Sequence, residues 1–270
     1  LSLTVSIVLY HPDEAMLGTT LRSLASAVAH TQTAGLLTAA NLVLIDHSPQ
    51  AQPEARIKAW QACCGERLPL RYVSDPANPG FGAGHNRAFT LSGATNGIFL
   101  VANPDLEFDE DSLVAGLHCL AEHPERGLFA PALVKEGGLL VPACFRYPDV
   151  LTLAARFVGG RWAAQRSHRY ECRDWDPSQP SLDPPVTSGC CMLFRGESFA
   201  ALGGFDPGYF LYFEDFDLSW RASRRGLSAY CPGMRVRHLG GGAGRKGWQH
   251  IRLFLRSALR FFSTHGWCWV

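Results

Sequence analysis

Apolar residues recur along this chain in two rhythms, one suited to strands and one to helices. Residues 3–9 (Leu-Thr-Val-Ser-Ile-Val-Leu) are β-branched or apolar almost throughout, which predicts a strand buried on both faces of a parallel sheet. Tyr10-His11-Pro12 ends it. Asp13 then caps a predicted helix whose apolar positions, Met16, Leu17, Leu21, Leu24 and Val28, share one face. Residues 42–45 read as a second strand ending at Asp46. Residues 53–64 read as a helix, with Pro53 in its first turn and Ile57, Trp60 and Cys64 at helical intervals. A short third strand follows at residues 71–73. Strands joined by helices predict an α/β fold with a parallel sheet and right-handed crossovers, whose ligand residues collect at the strand C-termini.

The stretch from Gly97 to Glu107 carries the sharpest transition. An apolar run of strand length stops at Asn103-Pro104-Asp105, so a buried strand delivers the Asp105 carboxylate to the sheet edge. A carboxylate there suits a divalent ion on oxygen ligands bridging to phosphates, and the same tripeptide also serves as a plain turn. Before it, Asn78-Pro79-Gly80-Phe81-Gly82-Ala83-Gly84-His85-Asn86-Arg87 reads as a glycine-rich loop opening a helix over residues 88–91, a potential anion site beside the positive charge of Arg87. The spacing is not the dinucleotide fingerprint GxGxxG, which argues against a dehydrogenase.

Beyond the corner, Asp109-Glu110-Asp111 reads as the acidic first turn of a helix carrying Leu113, Leu117 and Leu120. Residues 129–134 and 139–145 are strand candidates around the turn Glu136-Gly137-Gly138. Residues 150–185, with Trp162, Trp175 and several prolines, predict a long, partly irregular insertion. A strand over residues 186–195 has Gly189 in its middle, which predicts close approach of another group to the backbone. Glu214, Asp215 and Asp217 fall in a predicted first helical turn between aromatic neighbours, and an apolar wall makes a carboxylate a better proton acceptor. His238 follows a short strand pair and precedes three glycines. Residues 248–267 predict an amphipathic helix with Ile251, Phe254, Leu255, Ala258 and Phe262 on one face and Arg252, Arg256 and Arg260 beside it. Such a helix docks on the core or lies on an anionic membrane.

The 270 residues are 47% hydrophobic and 18% charged, an ordinary balance for one large domain with an appendage. Net charge is +1, so no global field draws the chain to nucleic acid. Nine cysteines, odd in number and without CxxC spacing, argue against a zinc knuckle or a disulfide scaffold and for a reducing, cytoplasmic compartment. No secretory signal pattern opens the sequence, and no apolar run reaches spanning length.

Taken in order, residues 5–12 (Val-Ser-Ile-Val-Leu-Tyr-His-Pro), Leu44-Ile45-Asp46, the glycine-rich segment from Asn78 to Asn86, Asn103-Pro104-Asp105, Ser188-Gly189, Gly203-Gly204-Phe205-Asp206, residues 213–218 and His238 resemble the family-2 inverting glycosyltransferases, most closely their rhamnosyltransferase-like bacterial members. The resemblance covers nearly the whole chain. It implies a GT-A fold with a mostly parallel central sheet flanked by helices. It divides the chain into a domain over residues 1–240, with a nucleotide-binding half (1–105) and an acceptor and catalytic half (106–240), followed by a C-terminal helix over 241–270.

By that resemblance, Tyr10, Pro12, Asp46, Asn78, Gly80, Phe81, Gly82 and Asn86 border the nucleotide of a nucleotide-sugar donor, and the charge of Arg87 beside them suits its phosphates. Asn103 and Asp105 occupy the place of the family's Asp-x-Asp motif, Asp105 and His238 hold Mg²⁺ or Mn²⁺, and Asp215 of the Glu214-Asp215 pair is the general base. Two positions depart from the pattern: Asn103 replaces the first acid, and His11 stands where many relatives have Asn. The implied reaction moves rhamnose from dTDP-rhamnose, or another sugar from a UDP- or dTDP-linked donor, to a saccharide or lipid-linked saccharide. The enzyme would act in the cytoplasm with a peripheral contact at the inner membrane face. A nucleotide-sugar binding module without turnover is the alternative.

Overall fold

The computed structural model describes residues 1–158, 160–240 and 248–269. In the first part, β1 (Ser2–Leu9), β2 (Ala39–Asp46), β3 (Leu70–Ser74) and β4 (Ile98–Ala102) alternate with α1 (Glu14–Thr33), α2 (Glu54–Cys64) and α3 (Phe81–Ser92). The strands lie parallel in the order β3-β2-β1-β4. Every residue of β4 is buried, as its unbroken apolar run requires of a strand covered on both faces. Asp13 caps α1 by accepting the N–H groups of Ala15 and Met16, each at 3.0 Å, and Leu17, Leu21 and Leu24 then enter the core beside Val5, Leu42 and Leu100.

The second part holds β5 (Leu106–Phe108), α4 (Ser112–Glu122), β6 (Leu128–Val134), β7 (Leu140–Pro142), β8 (Cys144–Phe145), α5 (Val150–Val158), α6 (Arg161–Tyr170), β9 (Ser181–Leu182), β10 (Val186–Thr187), β11 (Cys191–Arg195), α7 (Gly196–Ala201), α8 (Glu214–Ser223), β12 (Ser228–His238) and α9 (Trp248–His265). Here the sheet continues as β11-β6-β12-β5. β11 runs antiparallel to both β4 and β6, so the sheet is parallel through its first four strands and mixed beyond them. No described helix is long and apolar enough to cross a membrane.

Several local expectations are corrected. The glycine-rich segment is not a loop: α3 already starts at Phe81 and takes in Gly82 and Gly84. Glycine usually weakens a helix, but here it admits close neighbours. A Cβ on Gly82 would meet the Phe205 side chain at 2.6 Å, and one on Gly84 would meet Val8 at the same distance. The acids Asp109, Glu110 and Asp111 precede α4 instead of filling its first turn. Residues 150–185 contain two helices, α5 and α6, held together where Arg166 donates to Asp149 and Thr152. The strand foreseen over residues 186–195 is broken at Ser188–Cys190, and the pair before His238 is one long strand with a register shift between Cys231 and Arg235.

The cysteine reading also changes. Cys119 of α4 and Cys231 of β12 form a disulfide, with Cα atoms 6.3 Å apart across 112 residues of sequence. α4 lies on β12, so two positions remote in the chain become neighbours in the layer, which spacing rules cannot register.

Candidate active site

Four elements converge on one edge of the sheet. The first is the corner at the C-terminal end of β4. Thr20, buried in α1, holds it from behind: its hydroxyl donates to the Pro104 carbonyl at 2.8 Å and accepts the Leu106 N–H at 2.9 Å. The corner is thereby tied to the core at the residues on either side of Asp105.

The second element is the end of β12. His238 pairs with Leu106 of β5, and the Leu239 N–H donates to the Asp105 carbonyl at 2.8 Å. This register brings His238 Nε2 to 3.2 Å from Asp105 Oδ1 and 3.5 Å from Asn103 Nδ2. Apart from that imidazole, Asp105 Oδ1 is buried with no partner among the described residues. Gly240 is required for the approach, because a Cβ there would overlap Asp105 Oδ2. A carboxylate and an imidazole, whose side chains are each about a quarter exposed, are a donor set that fits a divalent ion. Among the described residues no cluster of three or more His, Cys, Asp or Glu side chains could hold an ion, so one held by this pair would need further ligands from outside the protein, such as water.

The third element is the N-terminus of α8. Tyr212 and Phe213 enter it with left-handed backbone, φ 69° and 64°, conformations that side-chain-bearing residues reach only under constraint. Phe213 supplies the constraint: it is buried against Phe216, Phe254 and Phe261. The strained turn aims Asp215 inward, where Oδ2 accepts the Gly189 N–H at 2.7 Å and Oδ1 accepts the Phe216 N–H at 2.9 Å. Glu214 is buried with Oε2 unpartnered among the described residues. Burial pushes the Glu214 carboxyl up to about 8, with the neighbouring Asp215 adding to the effect. Burial also raises Asp215 to about 6, opposed by the N–H groups it accepts. The two carboxyls titrate as a pair, both raised by burial, and Asp215 is the one whose charge is supported by two accepted N–H groups.

The fourth element joins the other two carboxylate sites. Gly189, in the break between β10 and β11, touches Asp215, and the next residue, Cys190, accepts the Asn103 N–H on its carbonyl at 2.8 Å. Asp105 and Asp215, 110 positions apart, therefore flank the same dipeptide. The buried Cys190 thiol reports both: it is raised to about 11, chiefly by burial, with Ser188 opposing and Asp215 and Asp105 each contributing. The Asp105–His238 pair and Asp215 thus lie on either side of Gly189-Cys190.

The nucleotide-side residues divide into two groups. Tyr10 and Pro12 lie at the C-terminal end of β1, Tyr10 exposed and edge-on to His11. Asn78 (φ 45°) and Gly80 (φ 107°) form the turn into α3, and Gly80 is pressed so closely on Phe210 that a Cβ would overlap its carbonyl. Of these four, Tyr10 is exposed, Pro12 and Asn78 are half-buried and Gly80 is buried. Asp46, in contrast, is fully buried and saturated, accepting from the Ser48 N–H, Gln52 Nε2 and the Tyr72 hydroxyl at 2.9 Å each. Asn86 spends its amide on the backbone of Phe205, and Phe81 and Gly82 pack against the Phe205 side chain. Arg87 pairs with Asp75 at 2.6 Å. Asp46, Asn86 and Arg87 thus make their polar contacts within the protein.

Two residues essential to this geometry were not foreseen. Thr20 reads in sequence as an ordinary helix residue, and its role depends on the turn of α1 that meets β5. Gly240 was seen only as one of three glycines, two of which, Gly241 and Gly242, lie outside the described residues.

No protein-family model matches the chain. A Mycobacterium tuberculosis protein named N-acetylglucosaminyl-diphospho-decaprenol L-rhamnosyltransferase is 29% identical over 218 residues, which cover 75% of this chain and 70% of that protein. The low-salt glycan biosynthesis hexosyltransferase Agl10 of Haloferax volcanii is 21% identical over 193 residues, 70% of this chain and 55% of that protein. Among solved structures, GalNAc-T7 with UDP, GalNAc and Mn²⁺ superposes with a TM-score of 0.65 at 14% identity, over 97% of this chain. The chain spans about half of the GalNAc-T7 chain, 48%. S. aureus TarS 1-349 superposes with a TM-score of 0.56 at 14% identity, covering 98% of this chain and 73% of that one. The fold is that of the GT-A glycosyltransferases, and in sequence the chain is similar to proteins named as a rhamnosyltransferase and a hexosyltransferase.

Proposed function

We propose that this GT-A-fold chain is an inverting glycosyltransferase that moves a sugar, rhamnose from dTDP-rhamnose in the favoured reading, to a lipid-linked saccharide in surface polysaccharide synthesis, working at the inner face of the cell membrane. The observation that carries it is the dipeptide Gly189-Cys190, with the candidate base on one side and the Asn103–Asp105 corner on the other. The mycobacterial relative's name supplies the sugar and the acceptor class.

In this mechanism the nucleotide lies along the C-terminal ends of β1 and β4, over Tyr10, Pro12 and the turn at Asn78–Gly80. Asp105 and His238 would hold Mg²⁺ or Mn²⁺. When bound, the ion neutralises charge on the departing nucleoside diphosphate. Ionised Asp215 accepts the proton of the acceptor hydroxyl as that oxygen bonds to the anomeric carbon; the bond from that carbon to the diphosphate oxygen breaks, and one displacement inverts the centre. Gly189 and Phe216 aim the carboxylate through their N–H groups and moderate the rise in its pKa. Glu214, buried beside it, titrates with it as a pair. The Asn at 103 leaves Asp105 as the one carboxylate of the corner, so affinity for the ion leans on His238.

The test is release of dTDP or UDP from a panel of nucleotide sugars, with Mg²⁺ or Mn²⁺ and a polyprenyl-diphosphate-linked saccharide as acceptor. Acceptor-dependent release abolished by Asp215→Asn is the expected result. Binding of a nucleotide sugar with no turnover on any acceptor would favour the binding-module alternative.

A further inference from the structure

The apolar set Ile251, Phe254, Leu255, Ala258 and Phe262 of α9, which by sequence suits either the core or a membrane, is divided: Ala258 and Phe262 are buried and Leu255 is exposed. The buried face is Ser257, Ala258, Phe261 and Phe262, with Phe254 partly covered. It docks on the base-bearing region: His265 bonds to Asp217 of α8 at 2.7 Å, Ser257 donates to the Leu211 carbonyl at 2.8 Å, and Arg260 pairs with Asp206 at 2.7 Å. The adjoining outward stripe is apolar as well. Trp248 is 76% exposed, Leu255 51% and Leu259 57%, and they share one shallow surface with Ile251, Arg252 and Arg256. Arg252 and Arg256 are exposed and, unlike Arg260, have no acidic partner among the described residues.

Charge along the chain points to what covers this face. All 24 acids lie within residues 1–217, together with 15 of the 25 Lys and Arg, a net charge of −9. Residues 218–270 carry the other ten basic residues and no acid, a net charge of +10. A near-neutral total conceals an acidic body and a wholly basic C-terminal segment. Two further tryptophans at its end, Trp267 and Trp269, stack on one another and are about half exposed. Exposed tryptophan and leucine flanked by unpaired arginine, on a segment free of acids, match the interface of a bilayer bearing anionic lipids.

We propose that the outward face of α9, formed by Trp248, Leu255 and Leu259 with Arg252 and Arg256, is the docking surface for an anionic lipid bilayer. The surface is argued from exposure and charge. Its purpose, presenting the site to a lipid-linked acceptor, rests on the transferase reading above. Because the inner face of α9 is bonded to Asp217 and to the turn before α8, docking fixes the orientation of the base-bearing helix relative to the membrane plane.

The test uses flotation of the full chain with vesicles of phosphatidylglycerol and phosphatidylcholine in equal parts, and with phosphatidylcholine alone. The chain floats with the anionic vesicles and stays behind with the neutral ones. Each basic residue near an anionic surface is worth about fivefold in partitioning, so Arg252→Ala with Arg256→Ala lowers it by roughly 25-fold. Leu255→Glu with Leu259→Glu abolishes it, while the melting temperature and the transfer to a soluble saccharide acceptor stay as in the parent chain. Equal flotation of the Glu variant would overturn the proposal. So would a fall in melting temperature showing that the face is covered within the chain, or conversion of a sedimenting dimer to monomer showing that a second copy covers it. Flotation reads no chemistry: vesicle binding without sugar transfer would remove the transferase reading and leave the docking surface standing.

Discussion

The backbone N–H of Gly189 donates to Asp215 Oδ2 at 2.7 Å, and a Cβ placed on Gly189 would lie 2.8 Å from the Asp215 Cβ. The candidate base is held by a residue whose lack of a side chain makes the contact possible. Gly189→Ala should displace the carboxylate and lower kcat by about a hundredfold, the scale of a misplacement near 1 Å. Donor affinity by calorimetry should be unchanged. A variant with parental kcat would show that Asp215 need not sit there.

Asp215→Asn keeps the shape and removes the proton acceptor, so turnover should fall by roughly a thousandfold while nucleotide-sugar binding persists. The asparagine also removes the negative charge that helps raise Glu214. Titration of Glu214, followed by infrared absorption of its carboxyl, should shift to lower pH in this variant; no shift would mean the two groups are not electrostatically linked.

Burial raises Asp215 to about 6 and Glu214 to about 8. Activity should therefore climb with pH as Asp215 ionises, with the midpoint of the acid limb of kcat near pH 6. Stability moves the other way. Both folded-state values lie above those of free carboxyls, so the native state binds more protons than the unfolded chain across this range. The contribution of the pair is greatest at low pH and is lost as pH rises from about 4 to about 8. Glu214→Gln, which keeps a neutral group in place, should gain melting temperature over the parent as pH rises toward 8. A constant difference across that range would contradict the assignment.

The Asp105–His238 pair should govern ion-dependent donor binding. Asp105→Ala or His238→Ala is expected to weaken donor affinity at least tenfold in the presence of Mn²⁺, since groups that merely support a metal ligand already act on a scale of about 10- to 100-fold, and to leave the chelator-treated affinity nearly unchanged. Thr20→Val, which loses the hydroxyl beneath the corner, should weaken it in the same direction by a smaller factor. Identical titrations with and without chelator for the parent chain would exclude an ion at this position.

Counting thiols checks the cysteine pairing. Denatured without reductant, the chain should expose seven free thiols, rising to nine with reductant, because Cys119 and Cys231 are bonded. Cys119→Ser with Cys231→Ser should cost up to about 5 kcal/mol of stability, measured by denaturant unfolding, as the 112-residue loop between them opens. Nine reactive thiols without reductant would refute the bond.

What the sequence by itself determined is local. The apolar runs of β1, β2 and β4 announce buried strands because a strand covered on both faces tolerates little else. Asp13 marks the start of α1, and Asn103-Pro104-Asp105 marks the end of a strand because its residues stop one. Gly189 could be singled out as a close approach, since a glycine within an apolar strand has few other reasons to be there. The partner it approaches could not be read.

Only the tertiary structure decided that this partner is Asp215, that His238 reaches Asp105 through the register of β12 on β5, and that Gly240 makes room for that contact. It also turned a glycine-rich segment into the first turns of α3, because Phe205 and Val8 occupy the space that side chains at Gly82 and Gly84 would need. Helical and strand periodicities are properties of neighbours along the chain. A site assembled from four separate segments depends on how the layers are stacked, and no spacing within one segment encodes the distance to another.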